Sequence, residues 1–141
     1  MSLDSNQILN EARSLAQAGK NDEARMQLLT LLKEEPENQT ALLMLGGSYF
    51  VDEKLREAEM AFERLILVEP GMGIYSIGLF NTLWKLGRQE EALEEIKRFL
   101  AVADKALEQE TIQQYIAITK QLATGLGGDD GYDTEDGPDE R

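Results

Sequence analysis

Histidine and cysteine are both absent from the 141 residues. Without histidine there is no Ser-His-Asp or Cys-His nucleophile, no imidazole shuttle at neutral pH, and no His- or thiolate-ligated zinc. Without cysteine there is no disulfide framework. Bases are scarce too: 14 Lys and Arg stand against 27 Asp and Glu, a formal net charge of -13. Nucleic-acid binding rests on clustered bases that release counterions, so a phosphate-tracking surface is disfavoured, and an anionic membrane for the same reason. No apolar run approaches a membrane span, and the opening Met-Ser-Leu-Asp-Ser-Asn-Gln lacks the basic and apolar regions of a secretory signal. These absences lead us to expect a cytoplasmic protein that is not an enzyme and has no cofactor and no metal. Its many carboxylates serve catalysis only where they converge in a pocket, and most fall on solvated helix faces.

What is present is a period. At an offset of 34 residues Ala24, Ala58 and Ala92 align, each directly after an acid (Glu23, Glu57, Glu91). Lys20, Lys54 and Arg88 align as well, as do Leu28, Phe62 and Ile96, then Leu31, Leu65 and Phe99, then Leu32, Ile66 and Leu100. In the first half of each unit Leu15, Tyr49 and Leu83 share a register, each preceded by Ser or Thr. Pro36 and Pro70 close the first two units. Within each unit apolar residues recur at three and four, the amphipathic helix signature. This spacing predicts six helices near 5–18, 21–34, 39–51, 55–68, 73–86 and 89–102, with a seventh following. Gly19 and Gly87 stand where a helix end needs positive φ, and the middle turn has Glu53 instead.

These columns resemble the tetratricopeptide repeat. The resemblance covers about residues 5–104 and is fullest in the middle unit, where Leu42, Leu45, Gly46, Tyr49, Ala58, Phe62, Leu65 and Pro70 stand as that family expects. It implies an all-α fold: a right-handed superhelix of three helix-turn-helix units, about 5–38, 39–72 and 73–104, with a capping helix at about 105–124. The cap covers an apolar face that a stack of repeats otherwise leaves open. Departures from the family pattern are Glu11 for an apolar residue, Phe80 for a small one, Ser76 for a larger one and Asp104 for proline. Phe80 is expected to widen a close helix contact or turn away from it.

By the same resemblance, the first helices of successive units line a concave groove that takes an extended peptide or a partner helix. The expected groove residues are Leu9 and Arg13 in unit one, Leu43, Gly47 and Phe50 in unit two, and Ile74, Ile77, Asn81 and Trp84 in unit three. The trough is mostly apolar, with Arg13 and Asn81 to fix orientation; the alternative for each apolar member is packing against the next repeat. Phe50 and Trp84 are the expected aromatic anchors. One branch of the family grips a C-terminal carboxylate with Lys, Asn and Arg. Here Leu9, Met44, Ile74 and Gly78 take those places, which disfavours the acidic tail of a heat-shock chaperone as ligand. Gly47 and Gly78 border the groove, where a missing Cβ lets a ligand backbone approach, whereas Gly46 serves tight helix pairing.

From Gly125 the composition turns to glycine and acid, and residues 127–141 hold seven acids and one base. The expectation for 125–141 is a disordered acidic tail, either solubilising, or a lure for a basic partner, or a flap over the groove. The functional expectation is a non-catalytic protein-interaction module, an adaptor or a chaperone-like holder of an apolar segment. The alternatives are a self-associating assembly subunit, as a homodimer, and an immunity-type inhibitor of a toxin.

Overall fold

A computed structural model describes residues 4–127, and every regular element among them is an α-helix. The described residues divide into two compact units, the first ending at residue 103 and the second beginning at residue 104. In the first unit the helices are α1 (Ser5–Gln17), α2 (Asn21–Glu34), α3 (Gln39–Val51), α4 (Leu55–Val68), α5 (Gly73–Lys85) and α6 (Gln89–Val102). The second unit contains α7 (Gln109–Gly127), so the helix takes in the first three residues of the expected tail. Residues 128–141 lie outside the described residues. No described helix is long and apolar enough to cross a membrane.

Each hairpin, α1–α2, α3–α4 and α5–α6, closes through the same turn. The backbone N–H of Lys20, Lys54 and Arg88 donates to the carbonyl of Leu15, Tyr49 and Leu83 at 2.8, 2.8 and 3.0 Å, the wide bond of a helix end that passes through left-handed backbone. The residue in that conformation is Gly19 (φ 80°), Glu53 (φ 61°) or Gly87 (φ 80°). Only the middle turn makes a residue with a side chain adopt it. Helix starts are less uniform: Asp4 and Asn38 cap α1 and α3 by accepting from Gln7 and Ala41, while Met72, the equivalent before α5, offers no side-chain acceptor.

The core of the first unit is the set of periodic columns. Ala24, Ala58 and Ala92 are at most 1% exposed. A residue this small at a helix contact lets the backbones draw together, and the larger neighbours Leu28, Leu31, Leu65, Ile96 and Phe99 fill the space around it. Phe80 is buried, with its ring stacked on Trp84 of the same helix at 5.7 Å between centroids. Ser76 is buried because its hydroxyl donates to Glu95 (2.6 Å), a carboxylate that Arg98 grips with both its Nε and Nη2. The small polar residue at that position thus belongs to a satisfied network, in which Arg98 also donates to the Pro70 carbonyl at 2.9 Å. One period earlier Arg64 donates to the Pro36 carbonyl at 2.7 Å.

Charges lock successive hairpins in order. From α2 the buried Arg25 reaches Asp52 (2.8 Å) and the Ser48 hydroxyl (2.8 Å) in the next hairpin, with Asp22 at 2.6 Å on its own helix. Its guanidinium also lies 5.1 Å from the Tyr49 ring centroid. One period on, the signs are exchanged: Glu59 of α4 accepts from Arg88 at 2.7 Å. Arg88 also clasps Glu91, whose carboxyl it holds below the usual range. Burial pulls the Arg25 cation down, yet its bonds to Asp52 and Asp22 outweigh that and raise it. Hydrogen bonding from Arg25 lowers Asp52. Glu63, exposed on α4, moves the other way, pushed up by partial desolvation and by the neighbouring Glu59.

The two shifts predict opposite pH signatures. A carboxyl lowered by folding contributes stability above its unfolded range and loses it as the pH falls through its folded value. Asp52→Asn should therefore lower Tm at pH 7, with the deficit shrinking in acid. A carboxyl raised by folding opposes stability once the pH exceeds its unfolded range, so Glu63→Gln should raise Tm at pH 7 and leave it unchanged below about pH 4. Thermal melts of both variants from neutral to acid pH test this pair. Parallel curves for the two variants would contradict it.

Candidate functional site

Phe62 decides the geometry between the second and third hairpins. Its ring projects from α4 into space left by two glycines on different helices. A Cβ on Gly46 of α3 would come within 3.0 Å of Phe62 Cζ, and one on Gly78 of α5 within 2.3 Å of Cε1. The approach at Gly78 is closer than real Cβ atoms come and the one at Gly46 is tighter than most, so the ring sits where it does chiefly because Gly78 lacks a Cβ, with Gly46 adding clearance. Above it lies a cavity of about 300 Å³, at the lower end of the range of ligand pockets. Leu43, Gly47, Phe50 and Val51 of α3 line it from one side, Ile74, Ile77, Gly78 and Asn81 of α5 from the other, and Phe62 from α4.

Six of the nine residues expected in the groove meet here: Leu43, Gly47, Phe50, Ile74, Ile77 and Asn81. Three do not. Leu9 is only 9% exposed and belongs to the core. Arg13 is exposed on α1, where it donates to Asn10 at 3.0 Å. Trp84 is half-buried and lies against Phe80, outside the cavity lining. The indole's ring partner is therefore a core side chain of its own helix. Gly47 has nothing within 4 Å of where its Cβ would be and is open to a ligand backbone. At Gly78 the missing Cβ makes room for Phe62, so the protein itself fills the space that the sequence reading left for a ligand.

Sequence reasoning missed Phe62 and Val51 as lining residues. Phe62 shares a column with Leu28 and Ile96, both core residues, and its own 5% exposure makes it one as well. The available signal was size: it is the only aromatic residue in that column, and each of the two helices it must pass between holds two glycines. Val51, 72% exposed, ends α3 beside Phe50.

The lining is electrically quiet, with Asn81 as its only polar side chain. Beside it stands Lys85, whose Nζ lies 5.2 Å from the Phe50 ring centroid and 2.5 Å from Glu53. Among the described residues no group of three acids is placed to hold a metal ion. The arrangement offers apolar burial, one amide and one neutralised cation, which suits holding a side chain.

Residues 9–75 match the family model of the tetratricopeptide repeat. This stretch belongs to the tetratricopeptide repeat family. The match runs from α1 into the first turn of α5, so the third hairpin continues the 34-residue period largely beyond the matched residues. No curated protein matches the chain. Tetratricopeptide repeats are in general protein–protein interaction modules and typically do not catalyse reactions, and the tandem hairpins of the first unit follow that architecture.

The glycines around Phe62 should respond in opposite ways to the same substitution. Gly78→Ala forces the ring to move and should cost about 1–3 kcal/mol, the usual penalty for overpacking. Gly47→Ala meets no atom and should be neutral or stabilise α3 by up to about 1 kcal/mol through helix propensity. Combining Gly78→Ala with Phe62→Leu should recover part of the loss, measured as Tm and as the midpoint of urea unfolding. Equal effects of the two alanines would contradict the packing described for Phe62.

Proposed function

We propose that this chain is a non-catalytic adaptor or chaperone-like binder, and that the cavity between α3 and α5 takes an apolar side chain of a peptide or helix from its partner. One observation carries the reading: two consecutive first helices leave a hollow lined by apolar side chains and free of charge, with Ile74 56% and Val51 72% exposed around it. Burying a Leu-, Ile- or Phe-sized side chain contributes about 1.5–3 kcal/mol before ordering costs are subtracted, so one anchor supplies weak binding and its neighbours must add to it. Phe50 and Ile77 are the residues we assign as anchor contacts, with Gly47 admitting the ligand backbone and Asn81 free to bond a peptide group. A cytoplasmic location fits this role, since the client would be met in solution.

Charge placed at the cavity should abolish capture and spare the fold. Ile74→Glu replaces an exposed residue of the lining and should leave helical content and Tm close to wild type while eliminating retention of the partner from native lysate. Leu67→Glu, at a position of α4 that is 82% exposed and outside the lining, is the control and should retain it. A partner recovered with wild type, identified by mass spectrometry and then measured by calorimetry, gives the quantitative comparison. Equal binding by wild type and a well-folded Ile74→Glu would move the site to another face.

A further inference from the structure

The middle hairpin turn contains a residue that its backbone does not favour. Position 53 is left-handed (φ 61°), as are its counterparts Gly19 and Gly87, yet here the residue is glutamate. Left-handed backbone disfavours any residue with a Cβ, so the Glu53 side chain is retained against a local penalty. What that side chain does is visible: it holds Lys85, one repeat further on, at 2.5 Å. Lys85 in turn lies over Phe50, which lines the cavity. Lys85 is also one helical turn after Asn81, so the cavity's only polar side chain and this cation share a face of α5.

The pair is built to exchange. The Lys85 and Glu53 side chains are 45% and 63% exposed, and ion pairs in contact with water contribute little to stability. A carboxylate from outside can replace Glu53 on Lys85 without stranding a buried charge. We propose that Lys85 reads the charge beside the anchor: the partner segment seats an apolar side chain between α3 and α5, and an adjacent acidic residue takes the place of Glu53 on Lys85. This deepens the peptide-binding reading of the cavity and depends on it. Lys85 is at none of the positions at which the carboxylate-gripping branch of the family places its bases. The net charge of -13 repels an acidic segment at a distance, but at physiological salt that field is screened over about 8 Å, and the local contact decides.

The test uses the full chain, physiological salt and fluorescence anisotropy with three labelled peptides on one Gly-Ser frame. The first has a Leu-Phe anchor followed by two glutamates, the second the same anchor followed by two lysines, and the third Ala-Ala in place of the anchor, followed by two glutamates. The glutamate-flanked anchor should bind about two- to fivefold tighter than the lysine-flanked one, the scale of an exposed ion pair. Glu53→Gly, which gives the turn the residue of its two counterparts, should widen that ratio by removing the internal competitor. Lys85→Met should abolish the preference for glutamate, bringing the ratio to one or below because Glu53 is left unpaired, while the anchored peptides still bind better than Ala-Ala. A ratio unchanged by either substitution, or a preference for lysine, overturns the charge-reading role and leaves the apolar site standing. If anchored peptides bind wild type no better than Ala-Ala, the site and the inference drawn from it fall together.

Discussion

Close approach between helices is the constraint on which the first unit rests, and it is met by pairing very small residues with large ones. Ala24, Ala58 and Ala92 do this inside each hairpin. Between hairpins two and three the same logic is carried further, with a phenylalanine ring occupying the volume that two glycines leave empty. Without those vacancies α3 and α5 could not both rest on Phe62, and the hollow above the ring would have a different shape. Stability and binding geometry therefore share one side chain.

Apolar columns that repeat every 34 residues have a weakness: any unit could stack on any other. The polar contacts break that degeneracy. Arg25 pairs with Asp52 across the first junction, and Glu59 pairs with Arg88 across the second, so the sign of the key residue alternates along the chain. Exchanging hairpins would set like charges together or leave a buried ion without its partner, which is strongly destabilising. Tyr75 adds a further link between first helices, donating to Gln39 at 2.7 Å. The proline carbonyls that close units one and two accept from Arg64 and Arg98 at one common spacing, so a chain end that cannot continue its helix still has its acceptor filled.

The helices were legible almost to the residue because apolar spacing, turn glycines and closing prolines all act locally and repeat. Six of the nine expected groove residues share the cavity lining for the same reason: facing α3 and α5 are copies of one pattern, so a position in one predicts its neighbour in the other. The three that differ are each decided by a contact the repeat does not encode. Leu9 is buried in the core, Arg13 turns to Asn10 on its own helix, and Trp84 stacks on Phe80, a bulky residue at a position where the family has a small one.

By itself the sequence determined the helical architecture of the described residues and the length of its period, because local periodicity needs no partner to take effect. Tertiary structure alone decided which glycine stays open and which is filled, where the indole rests, and that Glu53 and Lys85, 32 residues apart, meet beside Phe50. Those outcomes depend on distances between helices. Such distances are set by the joint packing of many side chains, and no single stretch of the chain contains that information.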